Sequence, residues 1–219
     1  MDSVQVITLE ESRPKEKSLS QPLTAFGNRP VVFFVSGWSG PGLEWNISPI
    51  KRKLDECGYE THRLKAPKNG WGDIHESAYI LAVKAGEYVQ QGREVFLIGH
   101  SMGGLIAKEA QDYVDIDGVV TIGTPHQGTI TAGLAPWSES ARQMKRGSEY
   151  LTQVNYSPSM SPMLCVACKY DELIIPRDSA VHPHADYVEW VNHTHISCIF
   201  SRKVAHLIVN YLKSWTRNA

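Results

Sequence analysis

Apolar runs of strand length alternate along the chain with segments in which apolar residues recur at helical spacing. The run from Pro30 to Val35 is continuously β-branched and aromatic, as expected for a strand covered on both faces. Asp73 begins a long segment, ending near Gly92, with apolar residues three and four positions apart. The same two patterns predict further strands at 59–64, 94–98, 118–122, 162–167 and 187–191, and further helices at 49–57, 102–113 and 199–215.

This alternation predicts an α/β fold class, with a mostly parallel sheet and helices on both of its faces. The chain has 219 residues, 42% of them hydrophobic, which fits one α/β domain better than two. We expect residues 30–219 to form this domain. Residues 1–29, largely polar and interrupted by prolines, are expected to be an N-terminal segment that is partly extended or a loop. The chemistry should lie at the carboxyl ends of the strands.

Charge and hydropathy exclude several classes of protein. The 22 Lys and Arg residues nearly balance the 23 Asp and Glu residues, and no strongly basic run occurs, which argues against a nucleic-acid-binding protein. No apolar segment follows a basic start, and no run of about 18 apolar residues occurs, so neither a secretory signal nor a membrane span is predicted. The expected location is cytoplasmic, with secretion by another route left open. Oligomeric state is not readable.

The four cysteines predict neither a disulfide framework nor a metal centre. Cys165 and Cys168 have CxxC spacing, but they lie in an apolar run where they should face opposite sides of a strand. We therefore expect them to be buried core residues. Most of the histidines lack the paired spacing of a metal site, so no metal or cofactor is predicted. These histidines are His62, His75, His126, His182 and His184.

The sequence LIGHSMGG at 97–104 contains the pattern G-x-S-x-G between a predicted strand and a predicted helix. A sharp turn there would force Ser101 into strained backbone angles, and the flanking glycines would remove colliding Cβ atoms. The backbone N–H of Met102 would then lie at a helix N-terminus, where it can donate to a developing oxyanion. The pattern predicts that Ser101 is a nucleophile. The alternative is a turn that only caps a helix.

A serine nucleophile needs a base and an acid, which should follow it in the order Ser, Asp or Glu, His. Asp171 and Glu172 follow one predicted strand, and His193 and His195 follow the next. We favour His195 because it directly precedes the apolar start of the last helix. Asp171 is preferred as the acid because a short carboxylate is the usual partner in this role, but Glu172 stays open.

Four motifs in this order resemble those of the α/β-hydrolase lipases and esterases, particularly the compact bacterial triacylglycerol lipase type. They are GHSMGG at 99–104, IGTPHQGT at 122–129, QMKRGSEYL at 143–151, and DELIIP at 171–176 followed by HIS at 195–197. The resemblance runs from about Pro30 to the C-terminus and implies a triad of Ser101, Asp171 and His195. It also implies a second oxyanion N–H after the first strand, where Trp38 is the matching donor. Ser36 stands where histidine is common.

The resemblance implies hydrolysis of a carboxylic ester, either a small molecule or a lipid, through an acyl-enzyme. A single-domain α/β-hydrolase fold with minimal or no cap is expected. Residues 129–162 could form a small lid or line an acyl pocket, or equally could be one helix covering the sheet. Two alternatives stay open: a thioesterase or amidase on the same fold, and a catalytically silent hydrolase-fold protein that binds a partner.

Overall fold

The computed structural model of the chain describes residues 29–37, 48–156 and 158–216. Within these residues there are six strands: β1 (Val31–Val35), β2 (Glu60–Leu64), β3 (Val95–His100), β4 (Gly118–Ile122), β5 (Met163–Cys168) and β6 (Tyr187–Val191). They form one parallel sheet in the order β2-β1-β3-β4-β5-β6. The sheet predicted from the sequence is therefore confirmed, with strand ends shifted by no more than two residues.

Helices cover both faces of the sheet and create two separate hydrophobic cores. Strand β1 shows the division clearly, because Val31, Phe33 and Val35 face one core while Val32 and Phe34 face the other. The helices are α1 (Pro49–Glu56), α2 (Ile74–Val89), α3 (Met102–Ala110), α4 (Glu139–Gln143), α5 (Glu149–Tyr156) and α6 (Arg202–Trp215). The first core is completed by α2, α3 and α5, and the second by α1 and α6.

The insert between β4 and β5 is not one helix. It contains a 3-10 turn at Ile130–Leu134 and the two short helices α4 and α5. Pro136 and Gly147, the latter with φ of 73°, interrupt a longer helix. The helix predicted to start at 199 begins at Arg202, after a 3-10 turn at Ser197–Phe200. The helix predicted to end at 113 stops at Ala110.

Hydrogen bonds fasten the insert to α2 and α3. The side chain of Gln143 accepts from the backbone N–H of Ile74 at 2.9 Å and donates to Asp73 at 2.6 Å. The hydroxyl of Tyr150 donates to the buried carboxylate of Glu109 at 3.0 Å. Several polar groups of the insert are thus satisfied by the body of the domain.

The cysteines lie where the sequence analysis placed them. Cys165 and Cys168 are buried, free thiols, and they belong to the two different cores. None of the described helices combines the length and the apolar character needed to cross a bilayer. Residues 1–28 of the predicted N-terminal segment lie outside the described residues.

Candidate active site

Ser101 occupies a strained turn between β3 and α3. Its backbone has φ of 57° and ψ of −129°, and its N–H donates to the carbonyl of Ile122 at 2.8 Å. Among the described residues, only Lys68 shares a positive φ without being glycine. Such a conformation costs about 1–3 kcal/mol and persists only where the surrounding structure holds it. The strain expected at this serine from the sequence is therefore present.

Glycines allow the backbones around Ser101 to approach each other closely. A Cβ at Gly99 would lie 2.2 Å from the carbonyl oxygen of Gly103, and a Cβ at Gly103 would lie 2.2 Å from that of Val35. Gly104, which the sequence analysis did not single out, packs against Thr124, whose hydroxyl would lie 1.9 Å from an added Cβ. No larger residue fits at these positions without a shift of the backbone or of Thr124.

Asp171 and His195 form a buried pair at the carboxyl ends of β5 and β6. Oδ2 of Asp171 lies 2.9 Å from Nδ1 of His195, and both side chains are at most 2% exposed. The other carboxylate oxygen accepts the backbone N–H groups of Leu173 and Ile174 at 2.9 and 2.8 Å. Because a carboxylate only accepts, Nδ1 carries the proton and Nε2 of His195 is left with a free lone pair.

Hydrogen bonding keeps Asp171 ionised despite its burial. Burial alone raises the pKa of this carboxyl group, but the hydrogen bond and charge of His195 and the N–H groups of Ile174 and Leu173 oppose it. The net effect lowers the pKa of Asp171 below its ordinary value. A charged acceptor is therefore fixed behind the imidazole ring at neutral pH.

Glu172 and His193, the alternatives to Asp171 and His195 in the sequence analysis, make different contacts. Glu172 accepts the backbone N–H of His195 at 3.1 Å and does not hydrogen-bond the ring. His193 is half-buried, and its Nδ1 lies 3.4 Å from the hydroxyl of Ser197. Of the two acids, the structure therefore brings Asp171 to the imidazole of His195.

Ser101 and His195 line the same cavity, which has a volume of about 210 Å³. Most of its wall is apolar, and the insert supplies one side of it. The apolar lining includes Phe34, Ala132, Leu134, Ala135, Ala141, Met144, Leu173, Ile174, Ile196 and Ile199. Next to the pair, a Cβ at Gly123, with φ of 53°, would lie 3.1 Å from Asp171 Oδ2 and 3.2 Å from His195 Nδ1. The cavity thus joins a strained serine to a buried histidine–aspartate pair.

One of the two predicted oxyanion donors lies in the described part of the chain. Met102 is the first residue of α3, so its backbone N–H has no acceptor within the helix and sits at the positive end of the helix dipole. Trp38 lies outside the described residues. The residues before it, Ser36 and Gly37, line the cavity, and a Cβ at Gly37 would lie 2.7 Å from that of Ser101.

His100 is part of the site and was not identified from the sequence. Its side chain is 6% exposed and lines the cavity, and its ring centroid lies 4.7 Å from that of His195. Its Nε2 lies 2.9 Å from the carbonyl oxygen of His195. The only available signal was a histidine beside the serine in the G-x-S-x-G pattern, which says nothing about a contact 95 residues away.

Among the residues of known placement, no group of three or more His, Cys, Asp or Glu side chains is arranged to hold a metal ion. At the cavity, the structure places a hydroxyl, an imidazole with its carboxylate partner, and the backbone N–H groups of a helix N-terminus. This set is sufficient for nucleophilic attack by serine with general base catalysis.

Comparison with protein families gives a match to the PGAP1-like alpha/beta domain over residues 77–153. The matched segment runs from α2 to α5 and includes the strained serine. Comparison with curated proteins finds no match.

Solved structures with the same architecture include lipases and esterases. Lipase B of Aspergillus fumigatus superposes with a TM-score of 0.74 and 18% identity, covering 84% of this chain and 52% of that one. This chain therefore spans about half the length of that lipase. The mature lipase BlEst2 of Bacillus licheniformis gives a TM-score of 0.66 and 20% identity, covering 88% of this chain and 95% of the other.

The monoacylglycerol lipase of Paleococcus ferrophilus also gives a TM-score of 0.66, at 16% identity, covering 86% of this chain and 97% of that one. At such identities, the likeness shows the fold alone. The chain has the α/β-hydrolase fold, and its structural neighbours are the class of proteins that its motifs resemble.

Proposed function

We propose that this chain is a serine hydrolase that cleaves carboxylic esters, with Ser101 as nucleophile, His195 as general base and Asp171 as the acid that orients it. One observation carries the proposal. A serine held in a strained turn lines the same apolar cavity as a histidine whose Nδ1 is bonded to a buried, ionised aspartate. Strain of this kind is retained where function needs it, and the bonded Nδ1 leaves Nε2 to act as a base.

The proposed reaction passes through an acyl-enzyme. Nε2 of His195 takes the hydroxyl proton of Ser101 while the serine oxygen forms a bond to the ester carbonyl carbon. The resulting oxyanion accepts the N–H of Met102 and, in this proposal, that of Trp38. Collapse of this intermediate breaks the ester C–O bond, and His195 gives its proton to the leaving alcohol. Water then attacks the acyl-enzyme in the same way and releases the carboxylic acid.

The apolar wall of the cavity supports an acyl chain as the group that it holds. Residues of the insert, such as Ala132, Leu134 and Met144, form part of this wall. Since Gln143 and Tyr150 tie the insert to the body of the domain, we propose that residues 129–162 line an acyl pocket and do not act as a lid. The substrate is accordingly an ester with an apolar acyl group, from a small molecule or a lipid.

The first experiment replaces Ser101 with alanine and measures hydrolysis of p-nitrophenyl esters of graded acyl length. Loss of the nucleophile is expected to lower kcat by about 10⁶-fold. Circular dichroism and thermal unfolding of the variant check that it folds. Unchanged turnover by the folded S101A protein would reject the mechanism.

Two further measurements separate the alternatives. A fluorophosphonate probe should label the wild-type protein at Ser101, whereas a catalytically silent protein that only binds a partner would stay unlabelled. A panel of oxygen esters, acyl thioesters and amides of the same acyl chain should show the highest kcat/KM for the oxygen esters. A higher kcat/KM for thioesters or amides would contradict the proposed specificity for oxygen esters and would favour a thioesterase or an amidase.

A further inference from the structure

The backbone of His195 is held at both of its polar groups by side chains outside the proposed triad. Its N–H donates to Oε2 of Glu172 at 3.1 Å, and its carbonyl oxygen accepts from Nε2 of His100 at 2.9 Å. The thiol of Cys198 donates to the same carbonyl at 3.0 Å, but S–H is a weak donor. Each of the two strong partners is the sequence neighbour of another proposed triad residue.

We propose that His100 and Glu172 are positioning residues, which hold the backbone of His195 so that its ring meets Ser101 and Asp171 at once. The inference rests on the proposed function, because it assigns to these two side chains the alignment of the proposed base. Neither residue is assigned a chemical step.

The bond from His100 has a definite direction. A carbonyl oxygen can only accept, so Nε2 of His100 carries a proton and donates it. Burial, with a smaller contribution from the charge of His195, lowers the pKa of His100 to about 3. His100 therefore stays neutral while His195 gains and loses its proton. The titratable side chains that act on it are His195 and Asp171.

The location of His100 allows it to fix the position of His195, the proposed base, relative to Ser101. It is the last residue of β3, a strand buried along its whole length between β1 and β4. Its backbone is continuous with that of Ser101, the residue that the base must reach. A hydrogen bond from His100 to the His195 loop therefore fixes the loop relative to the nucleophile through a rigid strand.

Glu172 holds the backbone of His195 from the loop after β5, which also carries Asp171. It directly follows Asp171, so one short segment bonds His195 twice, through the ring with Asp171 and through the backbone N–H with Glu172. Two attachment points on one residue restrict rotation of the loop as well as its distance from the acid. A misplacement of about 1 Å at such a group can lower the rate by about 100-fold.

The experiment compares truncating variants with variants that keep the hydrogen bond. His100→Phe removes the donor and keeps a ring, whereas His100→Gln retains an N–H. Glu172→Ala removes the acceptor, whereas Glu172→Gln retains a carbonyl oxygen. The expected result is a decrease in kcat of about 10- to 100-fold for H100F and E172A, with KM changed by less than about threefold. The two Gln variants should recover most of the loss.

Two readouts distinguish positioning from a role in stability alone. The acid limb of the pH dependence of kcat/KM should move to lower pH in H100F and E172A, because a loosened ring loses part of its contact with the Asp171 carboxylate. The low-field NMR resonance of the proton between His195 and Asp171, measured without substrate, should broaden in the same two variants. In H100Q, both readouts should stay near wild type. In E172Q, the NMR resonance should stay near wild type, whereas the acid limb shifts as in E172A because both variants lose the Glu172 charge. The NMR resonance therefore decides the role of Glu172.

The outcomes also separate this inference from the proposed function. Wild-type protein with neither ester turnover nor probe labelling would reject the proposed function, and the NMR resonance would then decide the positioning of His195 alone. In an active enzyme, unchanged kcat and pH dependence in both truncating variants would overturn the inference. Equal losses in the Gln and truncating variants would overturn it as well, since side-chain packing would then account for the effect. If H100F does not fold, E172A carries the test.

Discussion

Asp171 and Glu172 are neighbours of the same chemical type, yet their contacts differ completely. Asp171 reaches the ring of His195, while Glu172 reaches its backbone N–H. The sequence could not decide between them, because side chains of adjacent loop residues point in unrelated directions until the tertiary structure fixes the loop. What the sequence did provide was the chain order of serine, acid and histidine, together with the strand ends that they follow.

This difference between the two acids leads to a prediction about their amides. Asp171→Asn leaves the shape intact but favours the wrong tautomer of His195, and kcat should fall by about 10⁴-fold. Glu172→Gln keeps an oxygen that can accept the backbone N–H of His195, so kcat should stay within about tenfold of wild type. Steady-state kinetics on one p-nitrophenyl ester measures both. If E172Q were the more damaged variant, the roles of the two acids would have to be exchanged.

His100 shows where inference from single residues stops. Its hydrogen-bond partner, the carbonyl oxygen of His195, is 95 residues away in the chain, so no local sequence pattern predicts this hydrogen bond. Strain at Ser101 was accessible from the sequence because its cause is local, namely a strand, a turn and a helix within a few residues. The close approach of Gly104 to Thr124 was not, since the two residues are brought together only by packing of α3 against the end of β4.

At the scale of elements, the turn between β3 and α3 depends on backbone contacts that a methyl group would break. Gly103→Ala would place a Cβ 2.2 Å from the carbonyl oxygen of Val35 and 2.9 Å from that of Ser36. Because both obstacles are backbone atoms, α3 or the end of β1 must move. We expect a loss of about 1–3 kcal/mol in the free energy of unfolding, or more, together with a lower kcat.

Gly86→Ala is the matched control, since Gly86 lies inside α2 and an added Cβ would meet only Val114, at 3.8 Å. Alanine has the higher helix propensity, so this variant should gain up to about 1 kcal/mol. Urea unfolding of both variants measures the two changes. Destabilisation of similar size in G86A would show that added volume near any helix, and not the turn, is responsible.

The elements differ in how far their sequences specify them. Strands covered on both faces are continuous apolar runs, and their positions were predicted to within two residues. The two short helices of the insert were not predicted, because α4 and α5 are too short to be stable by themselves and depend on tertiary partners. The bond between Gln143 and Asp73 joins residues 70 positions apart, which no periodicity in the insert reveals.

At the scale of the whole molecule, buried histidines make folding sensitive to acid. Burial lowers the pKa of His100 and of His182 to about 3, and it lowers the pKa of His126 well below its ordinary value. Lys108 adds to the shifts of His182 and His126. Below pH 6.5 the unfolded chain therefore binds protons that the folded chain excludes, and stability falls as pH falls. Asp171, whose pKa is also lowered, contributes a loss only at still lower pH.

We expect His100 and His182 each to remove about 2 kcal/mol from the free energy of unfolding between pH 8 and pH 5. Urea unfolding across this range, with the proton uptake read from its pH dependence, measures the effect. His182→Gln should reduce the uptake at pH 5 by about one proton, whatever it does to stability at pH 8. A free energy that is flat from pH 8 to pH 5 would contradict the assignment of neutral, buried imidazoles.

Ser101, Asp171 and His195 follow three different strands, β3, β5 and β6, so the proposed triad can form only when the sheet between them is complete. Labelling of Ser101 by a fluorophosphonate probe, one probe per molecule, would consequently measure the number of molecules in which this sheet is intact. The ratio of modified to total protein in an aged, heated or nicked preparation would measure the fraction of molecules that keep an intact sheet, without the use of a substrate.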